Sequence, residues 1–182
     1  MHFIETGIEG VYVVEPRLFE DRRGYFFESY SKAKFEAAGL HYDFIQDNQS
    51  KSCFGTVRGL HFQKGEHAQA KLVRVLEGRV LDVAVDLRKG ASSYGRHVAV
   101  ELSAENMRQL LIPRGFAHGF SVLSETAVFA YKCDNLYCRE AEDGLCFDDP
   151  ALGIDWRIDM SRALTSEKDR LYKPFAEFET CF

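Results

Sequence analysis

Residues 71–87 read KLVRVLEGRVLDVAVDL and carry the clearest fold signal in the chain. Two runs rich in Val and Leu, Lys71–Leu76 and Val80–Leu87, flank the tripeptide Glu77-Gly78-Arg79. Short apolar and β-branched runs are typical of strands, and a glycine between them can take the positive φ that a tight turn requires. This stretch therefore predicts an antiparallel hairpin that turns at Gly78.

Working outward, the rest of the chain repeats the pattern of short strands. The 15 Phe and 8 Tyr suit a β protein. Further strands are predicted at Val11–Glu15, Tyr25–Tyr30, Thr56–Phe62, His97–Leu102, Gln109–Ile112, Gly119–Leu123 and Ala127–Cys133. One helix is predicted between Ser31, as N-cap, and Gly39, and loop with short helix over Asp159–Leu171. No long helices separate the strands, so we expect one all-β domain over residues 1–182, an antiparallel barrel or jelly roll.

Composition excludes several classes of partner and location. The net charge is −5 and no long Lys/Arg run exists, which disfavours sequence-independent binding to nucleic acid or to a membrane surface. No apolar run approaches the roughly 20 residues of a membrane-spanning helix. The five cysteines are odd in number and form no CxxC, and the first ten residues lack the features of a secretory signal. These features predict a cytoplasmic protein with reduced thiols.

Arg58 and His61 lie inside an otherwise apolar strand, three residues apart. Strict alternation would send their side chains to opposite faces. Gly59 lies between them and could form a β-bulge, which would turn both side chains into one cavity. A hydrogen-bonded core histidine is the plainer alternative, but a buried guanidinium without a partner is very costly. The pair therefore favours a polar cavity.

Other polar residues invite a functional interpretation more weakly. Pro113, Gly115 and Gly119 frame His118, which predicts a rigid turn that brings this imidazole to the mouth of the barrel. Tyr131 shares one strand face with residues 127, 129 and 133, where core packing is the usual role of a phenol. Lys71, taken alone, is typical of a solvated residue at the start of a strand. The segment Ser166–Asp169 is typical of the polar start of a helix, with Asp169 near its positive end.

Five segments in order resemble the dTDP-4-dehydrorhamnose 3,5-epimerase family of the cupin superfamily. They are Asp21–Glu28 (DRRGYFFE), Gln46–Ser50 (QDNQS), Arg58–His61 (RGLH), Pro113–Phe120 (PRGFAHGF) and Ser166–Asp169 (SEKD). The resemblance implies a cupin-type jelly roll, also called a double-stranded β-helix barrel. It also implies epimerisation at C3 and C5 of a dTDP-linked 4-keto-6-deoxy sugar, the step that leads to dTDP-L-rhamnose.

The resemblance also implies roles for individual residues. His61 matches the general base, Asp169 its paired carboxylate, Tyr131 the proton donor on the opposite sugar face, and Lys71 the cation beside the C4 oxygen. Residues that match contacts to the nucleotide sugar are Arg23, Glu28, Gln46, Asp47, Asn48, Arg58, Lys71, His118, Glu142 and Lys168, and Tyr137 matches an aromatic that stacks on the base. The family is typically homodimeric, and its N-terminal strands cross to complete the partner's site, so that Arg23, Glu28 and the segment Gln46–Asn48 would serve the neighbouring subunit. No metal ion or other cofactor is expected.

The reaction explains why such groups are needed. The C–H bonds flanking a C4 ketone are acidic because the carbanion delocalises onto oxygen, and imidazole is a base suited to neutral pH. A carboxylate on the far ring nitrogen fixes the tautomer, and a cation stabilises the enolate. Inversion further requires a second acid on the other face.

Three alternatives stay open at this stage. A mono-epimerase acting at C3 or C5 of a related sugar nucleotide would use nearly the same residues. A metal-dependent cupin usually shows His-x-His, but Gln63 stands two residues after His61, which leaves only Glu66, His67 and His118 as further ligands. A non-catalytic sugar-binding cupin would not need a base, a carboxylate and an opposite acid together.

Overall fold

A computed structural model describes all residues from 1 to 182. Thirteen strands run along the chain: β1 (His2–Glu5), β2 (Tyr12–Glu15), β3 (Phe19–Asp21), β4 (Gly24–Phe26), β5 (Gln46–Cys53), β6 (Val57–Gln63), β7 (Lys71–Glu77), β8 (Arg79–Asp86), β9 (His97–Ser103), β10 (Gln109–Ile112), β11 (Phe116–Val122), β12 (Thr126–Cys133) and β13 (Glu142–Gly144). The one α-helix is α1 (Lys32–Ala37). Short 3₁₀ helices occupy Gly65–His67, Arg139–Ala141, Met160–Arg162, Asp169–Leu171 and Phe175–Glu177.

The strands form two facing antiparallel sheets and one separate hairpin. The six-stranded sheet has the order β1-β2-β10-β7-β12-β5, and the five-stranded sheet has the order β13-β6-β11-β8-β9. Strands β3 and β4 pair only with each other. Apart from β1–β2 and β8–β9, neighbouring strands in both sheets are not consecutive in the chain, as in a jelly roll. The all-β prediction is confirmed, and the fold is of the cupin type.

The main core lies between the two sheets. Val73 and Val75 of β7 and Phe129 of β12 pack there against Ala84 of β8 and Phe120 of β11. Because side chains alternate along a strand, these contacts define which residues of each strand point inward. Polar residues on the inner faces therefore point into the space between the sheets.

The outer faces of both sheets are covered by the chain ends. The C-terminal segment packs Trp156, Phe178 and Phe182 against the five-stranded sheet. Helix α1 packs Phe35 on the six-stranded sheet, against Leu72 and residues of β2 and β10. No helix of the structure is both long enough and apolar enough to cross a membrane. This packing holds the C-terminal segment, which includes Asp169, against the five-stranded sheet.

Several sequence-based boundaries are confirmed. The chain turns at Gly78 with the expected positive φ of +77°. The predicted antiparallel hairpin was wrong, however, because β7 pairs with β10 and β12 while β8 pairs with β9 and β11, so Gly78 leads the chain from the six-stranded sheet into the five-stranded sheet. The helix begins directly after Ser31, although the Ser31 side chain makes no capping hydrogen bond. The tail over 159–171 is loop with short 3₁₀ helices, as expected.

Other boundaries were wrong. Strands β1, β3, β5 and β13 were not predicted, and the run predicted at Tyr25–Tyr30 is a strand only to Phe26. Strand β11 begins at Phe116, so His118 lies in the middle of a buried strand and not on a rigid turn. The Pro-Arg-Gly turn ends earlier than expected, because Phe116 and Ala117 are already buried and paired with β8.

Gly59 forms the predicted bulge. In the pairing of β6 with β11, His61 lies opposite His118 and Arg58 opposite Phe120, so three steps along β6 match two along β11. Val57 and Leu60 consequently both pack on the outer side of the sheet. Arg58 and His61 are thereby free to share the inner side.

Replacing Gly59 by Ala should strongly destabilise the fold. Gly59 has φ +138°, and an added Cβ would lie 2.5 Å from Cα of Gly119 on the paired strand. Backbone strain and the clash together should cost about 3 kcal/mol. Gly65→Ala is the matched control, since Gly65 also has a positive φ (+58°) but nothing within 4 Å of the new Cβ. Equal shifts of the two denaturant midpoints would contradict the bulge argument.

Candidate active site

Two adjoining cavities open between the sheets and share His61. The first has a volume of about 220 Å³, and the predicted site residues that line it are Gln46, Asn48, His61, Lys71, Tyr131, Tyr137 and Glu142. The second, of about 490 Å³, is lined by Arg58, His61, Lys168 and Asp169 among others. The fold thus gathers most of the predicted site residues into one cleft.

His61 and Asp169 form a hydrogen-bonded pair at the centre of this cleft. Nε2 of His61 lies 2.7 Å from Oδ1 of Asp169. The backbone N–H of Gly59 donates to the other carboxylate oxygen, and the backbone N–H of Asp169 donates to Oγ of Ser166. Burial alone would raise the pKa of Asp169, but the bond and charge of His61, followed by bonds to the carboxylate from the Ser166 side chain and the Gly59 backbone, hold that pKa below its usual value. Asp169 is therefore an anion that orients the imidazole.

Tyr131 faces the pair from the opposite sheet. It lies on the inner face of β12 with Phe129 and Cys133, as the alternation predicted. Burial raises the pKa of Tyr131, so the phenol carries its proton at neutral pH. A base and a protonated acid consequently line the same cavity from its two sides.

Lys71 lies beside Tyr131, with Nζ 6.0 Å from the centre of the phenol ring. Burial lowers the pKa of Lys71, while the neighbouring Cys133, Asp82 and Glu142 act to raise it. Its side chain is in an acidic surrounding and not at a solvated edge. It is placed to meet negative charge that forms between His61 and Tyr131.

A chain of polar contacts surrounds the mouth of the first cavity. Lys168 pairs with Glu142, and the hydroxyl of Tyr137 donates to the same carboxylate at 2.7 Å. Burial would raise the pKa of Glu142, but the bonds from Lys168 and Tyr137 lower it. The side-chain oxygen of Gln46 accepts from the backbone N–H of Tyr137, and its Nε2 donates to Asn48. An exposed aromatic ring is thus held at the edge of the cleft.

Arg58 is held by a single protein contact. Its Nε donates to Oγ of Ser52 at 3.0 Å, and no carboxylate pairs with its guanidinium. The remaining donors of Arg58 are free at the second cavity, next to Lys168. Free guanidinium donors beside an ammonium group are suited to a phosphate group.

Comparison with known proteins identifies the family. The model of the dTDP-4-dehydrorhamnose 3,5-epimerase family matches residues 5–177. The chain belongs to this family. A dTDP-4-dehydrorhamnose 3,5-epimerase of Pseudomonas aeruginosa is 51% identical over 183 residues, covering 100% of this chain and 99% of the relative.

Two solved structures of family members superpose closely. That of the dTDP-4-dehydrorhamnose 3,5-epimerase from Elizabethkingia anophelis has a TM-score of 0.94 and 54% identity, covering 97% of each chain. That of the dTDP-6-deoxy-D-glucose-3,5-epimerase from Legionella pneumophila, in complex with dTDP-4-keto-L-rhamnose, has a TM-score of 0.93 and 44% identity. It covers 98% of this chain and 94% of that chain. The chain is therefore an isomerase of this family.

Four residues that match family contacts line neither of the two cavities: Arg23, Glu28, Asp47 and the buried His118. Arg23 pairs with Asp21 in the β3–β4 hairpin, and Glu28 pairs with Lys34 of α1. Asp47 points to the outer face of β5, where its carboxylate accepts from Lys132 at 2.9 and 3.0 Å. The alternation of β5 explains this, since Gln46 and Asn48 take the inner positions.

The epimerase cleft also contains residues that sequence reasoning missed. Gln63 accepts from the backbone N–H of Cys138, and the ring of Tyr172 lies edge-on to His61 at 5.8 Å. Asp82 lies under the cleft, bonded to His118. A carboxylate within the buried run LDVAVD was a visible signal for Asp82. Nothing local in the sequence brings Tyr172 to His61.

The ligands considered for a metal-dependent cupin do not converge. His118 bonds Asp82 deep in the core, while Glu66 and His67 belong to the 3₁₀ helix at Gly65–His67. No three His, Cys, Asp or Glu side chains are grouped so that they could hold a metal ion. Metal independence of the reaction stays a prediction for the test described below.

Proposed function

We propose that this chain converts dTDP-4-dehydro-6-deoxy-D-glucose to dTDP-4-dehydro-L-rhamnose by inverting C3 and C5, in the synthesis of dTDP-L-rhamnose. The observation that carries the proposal is one cavity with the His61–Asp169 pair on one wall and Tyr131 on the other. Family members with this activity are about half identical to the chain over nearly its full length. A base and an acid on opposite walls are what inversion at carbon requires.

His61 acts as the base in this proposal. Because Nε2 of His61 is bonded to Asp169, the other ring nitrogen is left to take the proton from C3 or C5. The electron pair of the broken C–H bond moves onto the C4 oxygen and forms an enolate. Asp169 stabilises the imidazolium that results.

Lys71 and Tyr131 complete the proton transfer. The ammonium group of Lys71 stabilises the enolate oxygen electrostatically. The phenol of Tyr131 then donates its proton to the carbon from the other face, and the C4 ketone re-forms. The tyrosinate and the imidazolium exchange protons with solvent before the second centre reacts.

The nucleotide binds at the polar mouth in this proposal. Tyr137 stacks on the base, while Arg58 and Lys168 contact the diphosphate. Gln46, Asn48, His118 and Glu142 serve as further contacts to the nucleotide sugar, as their family match implies.

The decisive experiment follows the reaction by NMR in D₂O with the dTDP-linked 4-keto-6-deoxyglucose as substrate. We expect deuterium at both C3 and C5 and the stereochemistry of the L-rhamno product. Deuterium at one centre only would indicate a mono-epimerase instead. Binding of the sugar nucleotide without any exchange would indicate a non-catalytic binding protein and overturn the proposal.

We further propose that the active form is a homodimer whose N-terminal hairpins complete the partner's cleft. The β3–β4 hairpin pairs with no other strand, and it exposes Phe19 at 52%, Tyr25 at 58% and Phe26 at 69%. Three exposed aromatic rings on a short hairpin favour burial against another molecule. Arg23 of the hairpin and Glu28, which follows it, match family contacts yet lie outside their own chain's cleft. Both could contact the substrate if this segment inserts into the cleft of a second copy of the chain.

Subunit complementation tests this arrangement. Arg23→Ala alone should lower kcat/KM on the order of 10-fold, because a charged contact to the nucleotide sugar is lost. Co-expression of Arg23→Ala with His61→Asn chains should restore about a quarter of the wild-type sites, since random pairing leaves one intact site in each mixed dimer. The control pair, His61→Asn with Asp169→Asn, should restore none. A fully active monomer in sedimentation experiments would contradict the proposal.

Chelator treatment should leave turnover unchanged. The proposed enolate is stabilised by Lys71, so no step needs a Lewis acid. The measurement compares initial rates before and after prolonged incubation with EDTA, with elemental analysis of the same sample. A stoichiometric metal whose removal abolishes turnover and whose return restores it would show that the acid–base route is incomplete.

A cytoplasmic location is proposed as well. The thiols of Cys53 and Cys181 are free and exposed, and Cys133 is a free buried thiol beside the site. Exposed free thiols persist in a reducing compartment. Fractionation of the source cells, with thiol labelling of Cys53 and Cys181, would test the assignment, and oxidised thiols in a secreted fraction would contradict it.

A further inference from the structure

Asp82 is a fully buried carboxylate beneath the epimerase cleft. It lies in the middle of β8, and its neighbours Leu81 and Val83 are also fully buried. Val80 and Ala84 of the same strand pack in the core between the sheets, so Asp82 points inward as well. A carboxylate in such a place is very costly unless it is paired and hydrogen-bonded. Its contacts should therefore explain why it is there.

The one side chain that bonds Asp82 is His118. Nε2 of His118 lies 3.0 and 3.1 Å from the two carboxylate oxygens. An anionic carboxylate can only accept, so Nε2 carries the proton, and the lone pair of a neutral imidazole is then on Nδ1. Nδ1 is bonded to no other protein group. The ring also stacks on Phe129 at 6.1 Å, which fixes its plane.

His118 is next to the catalytic pair in the sheet. Its backbone lies directly opposite that of His61 in the pairing of β11 with β6. Burial lowers the pKa of His118, although Asp82 acts to raise it. The imidazole is therefore neutral at pH 7 and offers Nδ1 as an acceptor.

Lys71 enters the same interior from the facing sheet. It shares the inner face of β7 with Val73 and Val75, and Asp82 is one of the acidic groups that favour its charged form. Burial raises the pKa of Asp82, and both His118 and Lys71 act against that rise. One buried carboxylate thus bonds the imidazole and favours the charged form of the ammonium group.

We propose that Asp82 is a positioning residue for the epimerisation, because its carboxylate holds His118 in the Nε2–H tautomer and balances the charge of Lys71. The sugar then meets an acceptor nitrogen on His118, suited to a sugar hydroxyl, and a cation on Lys71, suited to the enolate oxygen. This inference rests on the proposed function, but its first test does not require turnover.

The first test is the tautomer of His118 in the unliganded wild-type protein. Two-bond ¹H–¹⁵N correlation of histidine-labelled protein distinguishes the two tautomers, and a His118→Gln variant assigns the signals by their loss. We expect protonated Nε2 and unprotonated Nδ1. The Nδ1–H tautomer would overturn the proposal, whether or not the protein epimerises.

The second test is Asp82→Asn, which keeps the shape and removes the charge. The amide can donate to Nε2 and so turn His118 to the Nδ1–H tautomer. We expect kcat to fall on the order of 10²-fold or more, which is the effect of losing an orienting carboxylate or a preorganised charge in other enzymes. The affinity for dTDP should stay within about threefold of wild type. A kcat within about threefold of wild type in folded protein would overturn the proposal.

Asp86→Asn is the matched control. Asp86 is a fully buried inward carboxylate of the same strand, but it bonds Arg88 and Ser93 away from the cleft. We expect it to lower the melting temperature without changing the kcat of the folded protein. Deuterium exchange by wild-type protein is measured in parallel, so that absence of the reaction itself is distinguished from failure of the Asp82 role. If Asp82→Asn does not fold, the tautomer of His118 in the wild-type protein still tests the proposal.

Discussion

Replacing His61 by Asn should abolish both turnover and the exchange of sugar hydrogens with solvent. Asn keeps a polar side chain, but it ends short of the position of Nε2 that bonds Asp169 and cannot accept a proton at neutral pH. Neither C3 nor C5 can then lose its hydrogen at a useful rate, because the carboxylates that remain, Asp169 and Glu142, have lowered pKa values and are weaker bases than an imidazole. Removal of a general base costs on the order of 10²–10⁴ in rate, and more where no surrogate exists.

The measurement is deuterium uptake at C3 and C5 over time, followed by NMR at saturating substrate. His41→Asn is the control, since His41 is exposed and lines neither of the two cavities. Substrate affinity should change little in His61→Asn. Exchange at wild-type rate in this variant would show that another group removes the proton.

The rates of exchange and inversion in Asp169→Asn should lie between those of the wild type and those of His61→Asn. The imidazole remains, but it loses the anion that orients it and stabilises its protonated form. Both exchange and inversion should slow together, because both depend on the same base. Unequal slowing of the two would indicate that Asp169 acts on a different step.

The positions of inward polar residues on the central strands could be predicted from the sequence. Strict alternation on β12 placed Tyr131 on the inner face, and the glycine between Arg58 and His61 predicted the bulge that joins them. Both features depend on period-two geometry over a few residues, which local sequence determines.

Contacts between distant segments were beyond local reasoning. Asp169 reaches His61 across 108 residues of sequence, because Leu164 pairs with Thr56 and ties the tail to the start of β6. Its role was inferred from the family resemblance. Strand β5 was missed because its sequence, QDNQSKSC, is polar on both faces and lacks the alternation that identifies strands.

The position of His118 shows a third limit. Pro113 and two glycines suggested a turn, but β8 pairs with β11 from Phe116 onward and draws the histidine into the sheet. Tertiary pairing outweighs the local turn signal here. As a result His118 meets a buried carboxylate, and not solvent at the barrel mouth.

Replacing Tyr131 by Phe should separate the two halves of the reaction. The variant keeps His61 and Lys71, so the proton can still be removed and the enolate can still form. Phe fills the same place on the inner face of β12 but has no proton to give. The carbanion can then regain a proton only from the face that lost it.

Tyr131→Phe should therefore retain hydrogen exchange with solvent while it loses inversion. We expect the rate of inversion to fall on the order of 10²-fold or more, while deuterium uptake with retained configuration continues at a larger fraction of the wild-type rate. Tyr137→Phe is the matched control, since it removes a phenol hydroxyl at the mouth of the cleft and should leave the ratio of exchange to inversion unchanged. If inversion in Tyr131→Phe is normal, the acid is another group; if exchange is lost as completely as inversion, Tyr131 is needed before the enolate forms. Deuterium content and product configuration, measured on the same samples, decide between these outcomes because the proposed acid acts only after the base has finished.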